Sequence, residues 1–257
     1  MAVTTTMDLN ADLAEGFGRW TLTDDAALLD VVTSANVACG FHAGDAPTMR
    51  RVCDLAVERG VSIGAHVAYR DLAGFGRRSM DVPAGDLAAE VAYQIGALNV
   101  FARAAGARVA YVKPHGALYN RAAWDVEQAV AVVEGVGLAG GGGPLPVLGQ
   151  PGSALLVAAE RAGHESVPEG FTDRGYRADG TLVPRSEAGA LLTDEKMIVA
   201  RTVALATGQP VPAADGTPVR VDARSLCVHG DSPGAVDRAV RLREALEADG
   251  VALRAFA

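Results

Sequence analysis

The sequence predicts an α/β protein that folds as a closed or nearly closed, TIM-like β/α barrel, with an open doubly wound sheet as the alternative. Short strand-like apolar runs alternate with helical segments along the 257 residues, and this alternation is typical of a parallel sheet covered by helices. The units recur often enough, and the chain is long enough, for a complete barrel. Apolar residues make up 49% of the sequence, which supplies a sizeable core.

Each predicted strand is a short apolar run or alternates apolar and polar residues. These strands are residues 7–12, 35–39, 61–65, 108–112, 145–148 and 225–228. Between them the sequence predicts helices over residues 23–33, 45–60, 84–106, 123–136, 153–162 and 232–250.

The helix assignments depend on end signals and on periodicity. Thr23 suits an N-cap and is followed by two acidic residues that favour a first turn. Pro47 and Gly60 bound the second helix, in the usual order of proline at the start and glycine after the end. Residues 84–106 repeat apolar side chains every three or four positions, which predicts a long amphipathic helix.

Residues 170–190 interrupt this alternation, and the turn signal at Ala178-Asp179-Gly180 predicts a hairpin-like insertion there. The glycine run 140–143 predicts a surface loop. No second domain is indicated, so we expect a single barrel domain over residues 1–257.

Composition restricts the classes of partner. The net charge of −8 argues against nucleic acid, which is bound through lysine and arginine. No apolar run approaches the length of about 20 residues that spans a bilayer, so no membrane association is expected. The N-terminus shows no signal peptide, and the three cysteines form no C-x-x-C pair. Together these features predict a cytoplasmic protein.

Four of the five histidines directly follow predicted strands. They are His42, His66, His115 and His229. The carboxyl ends of parallel barrel strands share one face, so we expect these side chains to converge although they are far apart in sequence.

Carboxylates supply the second half of the predicted site. Asp8, Asn10 and Asp12 alternate along the first strand and therefore point to one face, and Glu15 follows on the loop. An inward carboxylate needs a partner, because an isolated buried charge is costly. Neighbouring histidines, Lys113 or a metal ion would provide one.

Arginines Arg174 and Arg185 lie in the insertion, and a planar guanidinium suits a carboxylate or a phosphate. The candidate catalytic residues are Asp8, Asp12, Glu15, His66 and His115. The candidate substrate-binding residues are Asn10, His42, Asp45, Lys113, Asp173, Arg174, Arg185, His229 and Asp231.

The segments that carry these residues resemble the LamB/YcsF family. The resemblance rests on DLNADLAEG, SANVACGFHAGDAPTM, IGAHVAYRDLAGFGRRSM, VKPHGALYN, DRGYRADGTLVPRSEAGAL and CVHGD, and extends over residues 8–231. It implies a seven-stranded barrel related to the glycoside hydrolase/deacetylase superfamily. It also implies a 5-oxoprolinase complex with B and C subunits, which hydrolyses 5-oxo-L-proline to L-glutamate with ATP as co-substrate, accompanied by Mg²⁺. Ala14 departs from the family pattern, where glycine is usual.

The reaction that this resemblance implies fits the chemistry of the candidate residues. Phosphorylation of the lactam oxygen would activate a resonance-stabilised amide, with Asp12 or a strand-end histidine as general base. Two alternatives stay open. A metal-dependent deacetylase or amidohydrolase would use Asp12, His66 and His115 around a divalent cation. A non-catalytic substrate-binding subunit is the other, since the sequence has no G-x-x-x-x-G-K-[ST] phosphate loop. Whether a metal binds is left unknown.

Overall fold

The computed structural model describes residues 5–140, 143–230 and 234–257. Within these ranges seven parallel strands close into a barrel, because the first strand (Thr6–Leu13) pairs with the second (Ser34–Ala38) on one side and with the seventh (Ser225–Val228) on the other. The barrel strands are β1 (Thr6–Leu13), β2 (Ser34–Ala38), β3 (Ser62–Val67), β4 (Tyr111–Pro114), β5 (Val147–Gly149), β6 (Ser166–Phe171) and β7 (Ser225–Val228). The predicted barrel is confirmed, and the open sheet is excluded.

Helices surround the barrel. They are α1 (Asp25–Leu29), α2 (Ala46–Arg59), α3 (Ala84–Ala104), α4 (Gly116–Ala122), α5 (Val126–Ala139), α6 (Ala154–Arg161), α7 (Glu195–Ala206) and α8 (Ala235–Ala248). Their buried faces are mainly aliphatic and pack on the outer surface of the strands. A short strand β8 (Ala252–Leu253) pairs with the start of β1, outside the closed barrel. None of the helices in the described ranges has the length and apolar character needed to cross a bilayer.

The structure corrects several predicted boundaries. Strand β6 was missed, and its last two residues fall in the segment assigned to the insertion. Helix α7 and an antiparallel pair of two-residue strands at Val211–Pro212 and Pro218–Val219 were also missed. The helix predicted over residues 123–136 is shifted to Val126–Ala139, with α4 before it.

Two further predicted helices lie near the chain's two ends. The first helix is shorter than the predicted 23–33 and covers Asp25–Leu29. The predicted start of the last helix at residue 232 lies outside the described residues, and α8 is described from Ala235. The insertion contains two antiparallel bridges, Arg174 with Leu191 and Tyr176 with Leu182, which give it a hairpin-like course.

The interior of the barrel is unusually polar. Strand register places Asp12 beside Asn36 and Asp8 beside Ser225, and Lys113 lies beside His66. Because these side chains are removed from water, each needs an internal partner. The strands therefore position a buried polar network that leads up to the carboxyl-terminal face.

Candidate active site

Three imidazoles and one carboxylate meet at the carboxyl ends of the strands, and we call this group the histidine cluster. Its members are Glu15, His42, His66 and His115, and their ligand-type atoms all lie within 4.8 Å of one another. All four side chains are buried. The convergence follows from the parallel barrel, because each residue ends or follows a strand.

Local backbone structure positions the members of the cluster. Ala14, directly after β1, adopts a left-handed conformation with φ of 59°, and its N–H donates to Asp25 Oδ1 at 3.0 Å. This turn directs Glu15 towards the histidines. His66 lies within β3, and His115 occupies the N-cap position of α4 at the end of β4.

The ring nitrogens have distinct surroundings. His66 Nδ1 lies 3.1 Å from the carbonyl oxygen of Lys113, and His115 Nε2 lies 2.9 Å from that of Phe75. The inner nitrogens, His66 Nε2 and His115 Nδ1, are 3.0 Å apart. Glu15 Oε1 is 3.5 Å from His115 Nδ1 and 3.4 Å from His42 Nε2. The rings of His42 and His115 stack with centroids 3.9 Å apart.

Residues 71–78 lie over the cluster, and we call this segment the cap. Asp71 holds it together by accepting hydrogen bonds from the Gly74 N–H and from Arg78. A Cβ at Gly76 would lie 2.8 Å from atoms of both His42 and His115, so the cap approaches the rings as closely as a glycine allows. The cap therefore separates the histidines from solvent.

Burial affects the protonation of the cluster. It lowers the pKa of His42 well below the usual value, and the neighbouring His66 adds to that shift. Burial and the other two imidazoles lower the pKa of His115 in the same way. Both rings are therefore neutral near pH 7, which leaves one nitrogen of each with a free electron pair.

Lys113 is the centre of charge inside the barrel. Its Nζ lies 2.8 Å from Glu169 Oε1 and 3.0 Å from Asp12 Oδ1, and the side chain is 3% exposed. Although burial opposes the charged form, Asp12 and the neighbouring Cys227 and Glu169 raise the pKa of Lys113 well above its usual value. Burial alone would raise the pKa of Asp12, but His66 and Lys113 hold it well below its usual value. These groups thus form a buried ionic network.

The amide side chains of two asparagines extend the ionic network across neighbouring strands. Asn36 Nδ2 donates to Asn10 Oδ1 at 2.7 Å and to Asp12 Oδ1 at 2.8 Å. The Tyr111 hydroxyl donates to Asn36 Oδ1 at 2.7 Å. Tyr111 reaches this position because a Cβ at Gly64 would lie 2.2 Å from its ring, so only glycine leaves room. The Asn10 side chain therefore makes its hydrogen bonds inside the barrel.

Asp8 lies deeper in the barrel than Asp12. Its carboxylate accepts hydrogen bonds from the hydroxyls of Thr33 and Ser34, each at 2.6 Å, and from Ser225. Burial raises the pKa of Asp8. The barrel's own hydroxyls occupy this carboxylate, so the contacts describe a hydrogen-bonded core residue, and its catalytic assignment stays a prediction.

A second polar group forms where the insertion meets β7. His229 Nδ1 lies 2.7 Å from Asp173 Oδ1, and His229 Nε2 lies 3.1 Å from Arg185 Nη2. Burial opposes ionisation of Asp173, but His229 and Arg185 keep the pKa of this carboxyl below its usual value. The ring of Phe171 stacks on His229 at 5.8 Å, and Lys113 Nζ lies 5.6 Å from the same ring. Phe171 thus separates this group from the ionic network.

Two other predicted residues, Arg174 and Asp45, lie outside these groups. The Arg174 guanidinium donates to the carbonyl oxygens of Val183 and Ala190 and so braces the insertion. Asp45 caps α2 by accepting the Thr48 N–H at 3.2 Å. Asp231 falls outside the described residues. The proposed substrate contacts of these residues stay predictions.

Comparison with known proteins identifies the family of this chain. The sequence matches the LamB/YcsF family over residues 7–257. The chain belongs to that family. It is 70% identical to a Streptomyces coelicolor protein named as the A subunit of 5-oxoprolinase, over 98% of this chain and 100% of the relative. A Mycobacterium avium protein with the same name is 56% identical over 97% of this chain and 98% of its own.

A solved structure agrees with the family assignment. The crystal structure of a lactam utilization protein from Thermus thermophilus superposes on this LamB/YcsF chain with a TM-score of 0.92 and 41% identity. The match covers 98% of this chain and 100% of that one. Ala14, noted above as a departure from the family pattern, sits at a positive φ that glycine adopts without strain.

Three residues that contact the site of this LamB/YcsF protein were not predicted from the sequence. Glu169 was missed because β6 was not recognised. Val167, Glu169 and Phe171 stand at alternate positions, and this spacing could have predicted a strand with the three side chains on one face. Asn36 lay in a strand predicted only as apolar. Phe75 contributes its backbone carbonyl, and no sequence signal marks a residue that acts through its main chain.

Proposed function

We propose that this chain is the A subunit of an ATP-dependent 5-oxoprolinase, which acts with B and C subunits to convert 5-oxo-L-proline to L-glutamate. The full-length identity of 70% to a protein named as the A subunit of 5-oxoprolinase is the observation that carries the proposal. Buried carboxylates, imidazoles and a lysine at the carboxyl-terminal face of the barrel support an enzymatic role.

Arg185 is the cation best placed to bind the substrate carboxylate. Lys113 is already paired with Asp12 and Glu169, and Arg174 is bonded to backbone carbonyls. Arg185 is exposed on the insertion, and within the described part of the chain its side chain contacts His229. Its planar guanidinium can bind a carboxylate through two parallel hydrogen bonds.

His229 is the strand-end histidine best arranged as a general base. The Asp173 carboxylate can only accept, so the proton of a neutral His229 lies on Nδ1 and the electron pair on Nε2. Arg185 contacts Nε2 at 3.1 Å. When Arg185 turns to the substrate carboxylate, His229 Nε2 becomes available to take a proton from water.

The chemistry divides into three steps. The γ-phosphoryl group of ATP, accompanied by Mg²⁺, is transferred to the amide oxygen of the lactam, and ADP leaves. Water, deprotonated by His229, adds to the ring carbon that carries the phosphorylated oxygen. The C–N bond then breaks, the nitrogen takes up a proton, and an acyl phosphate of glutamate results. A second water releases phosphate and glutamate.

The test measures glutamate release from 5-oxoproline by this chain mixed with B and C subunits, with and without ATP. We expect release that requires ATP and all three chains. His229→Gln should lower kcat by about 10²- to 10⁴-fold. Arg185→Gln should lower kcat/KM by about 10- to 100-fold, mainly through KM, because glutamine can keep only one of the two hydrogen bonds and one charged hydrogen bond is lost.

Arg161→Gln, an exposed arginine on α6, is the matched control and should leave both constants unchanged. No release with partners that are active beside another A subunit would overturn the substrate assignment. Unchanged kcat in His229→Gln would remove that histidine from the mechanism while leaving the substrate in place.

A metal-dependent amidohydrolase is the second candidate, favoured by the histidine cluster, and it requires that only three of the four residues bind the ion so that one position stays open to water. It predicts glutamate release without ATP, because a bound cation activates water directly. The arm of the assay that omits ATP therefore separates the two candidates.

A further inference from the structure

The histidine cluster contains two electron pairs that face each other. A carbonyl oxygen only accepts hydrogen bonds, so the contacts with Lys113 and Phe75 place the ring protons on His66 Nδ1 and His115 Nε2. When both rings are neutral, the opposite nitrogens carry free electron pairs, yet His66 Nε2 and His115 Nδ1 lie 3.0 Å apart. Two such pairs repel each other unless a cation lies beside both.

A third imidazole points into the same space. Among the described residues, neither ring nitrogen of His42 has a hydrogen-bond partner, although the side chain is buried. A buried polar group without a hydrogen bond is costly and calls for a ligand. His42 Nε2 lies 3.4 Å from Glu15 Oε1, so a cation that binds this nitrogen also meets a carboxylate.

Two of the separations between ligand atoms fall in the range of a tetrahedral metal site, and a third is slightly shorter. Bonds of about 2.0–2.2 Å from zinc to nitrogen and oxygen place neighbouring ligand atoms about 3.3–3.5 Å apart. The corresponding separations here are 3.4 Å for His42 with Glu15, 3.5 Å for His115 with Glu15, and 3.0 Å for His66 with His115. All four atoms lie within 4.8 Å of one another.

We propose that Glu15, His42, His66 and His115 bind one divalent first-row transition-metal ion, with zinc the expected ion. Imidazole is a preferred ligand of zinc, copper, iron and nickel, and one carboxylate offsets part of the charge. The carbonyls of Lys113 and Phe75 orient two of the rings, as is usual for metal-bound histidine.

This ligand set differs from the one predicted by sequence. Asp12 does lie beside His66, with Oδ1 3.3 Å from His66 Nε2, but it accepts hydrogen bonds from Lys113 and Asn36 and belongs to the ionic network. Glu15 and His42 take its place. Four protein ligands form a closed site of the structural kind, so the ion ties the ends of β1, β3 and β4 to the loop after β2.

The experiment uses the full chain alone, without partners or substrate, so its outcome is independent of the proposed function. Chelator-treated protein is titrated with Zn²⁺ and, separately, with Co²⁺. We expect about one equivalent bound, a higher melting temperature with Zn²⁺, and the visible absorption spectrum of tetrahedral Co²⁺.

Two conservative variants and one control assign the ligands. Glu15→Gln and His42→Gln should each weaken Zn²⁺ binding at least 100-fold and reduce the cobalt absorption. His164→Gln is the control, because His164 lies outside the cluster with Nδ1 2.9 Å from the Leu145 carbonyl, and it should bind like the unaltered chain. Circular dichroism verifies that each variant is folded.

Three results would overturn the proposal. One is failure of the unaltered chain to bind Zn²⁺ or Co²⁺, and another is an octahedral cobalt spectrum. The third is undiminished affinity in both folded variants. If neither variant folds, the spectrum and stoichiometry of the unaltered chain still decide the matter.

Discussion

Replacement of Lys113 by methionine gives the sharpest test of the ionic network. Methionine fills a similar volume without the charge, and it leaves Asp12 and Glu169 buried without the ammonium group that lies 3.0 and 2.8 Å from them. Loss of one partner from a buried ion pair destabilises a protein by about 3–5 kcal/mol, because the remaining charge stays desolvated.

That free energy converts to a measurable shift in urea. With a denaturant slope of about 3 kcal/mol per molar, suited to a chain of this size, the unfolding midpoint should fall by about 1–1.7 M. Circular dichroism followed across a urea titration measures the midpoint and the slope together. An unchanged slope shows that the variant unfolds from a similarly compact state.

The chain's other lysine provides the control. Lys196 is exposed on α7, and Lys196→Met should change the free energy of unfolding by less than about 0.5 kcal/mol. In Lys113→Met, the second change Glu169→Gln removes one of the unbalanced charges and should restore at least about 1 kcal/mol. A loss below about 1 kcal/mol in Lys113→Met, or no recovery in the double variant, would refute the ionic account.

Two further predictions concern the histidine cluster. Because the pKa values of His42 and His115 are lowered in the folded protein, the unfolded chain binds more protons below about pH 6.5. The free energy of unfolding should therefore fall as the pH falls below that value, by up to about 1.4 kcal/mol per pH unit for each ring. Urea midpoints between pH 7.5 and 5 measure this loss, and a flat profile would contradict it. Gly76→Ala should cost about 2–4 kcal/mol, since it combines a positive φ with contact against both rings. Gly152→Ala, with φ of 70° and no atom within 4 Å of the added carbon, should cost only about 1 kcal/mol in thermal or urea unfolding.

The parts of the fold that sequence predicted are those with uninterrupted patterns. Strands β1 to β3 carry continuous apolar runs or clean alternation, and each was located within a few residues. Strand β6 was missed because Pro168 and Gly170 resemble a turn, yet both lie within the sheet. Helix α7 was missed because Arg201 and Thr202 lie on its buried face and break the apolar stripe.

The sequence predicted part of the candidate site, namely the histidines at the strand ends, but not the side-chain contacts among its residues. Strand ends identified His42, His66 and His115 as neighbours, since the barrel topology alone brings them together. Which carboxylate joins them depends on the turn at Ala14 and on side-chain geometry, and neither is encoded in strand periodicity. The pairing of Lys113 likewise required the position of a strand that the pattern did not reveal.

The pairing of β1 determines when this protein can finish folding during synthesis. Its register joins Asp8 to Ser225, and β8 adds the contact between Thr6 and Ala252. One edge of β1 therefore lacks its partner until almost the whole chain has left the ribosome. An unpaired strand edge is a template for association with other chains, and late long-range pairing is slow. The nascent polypeptide is thus most exposed to association with other chains before its last strands are synthesised.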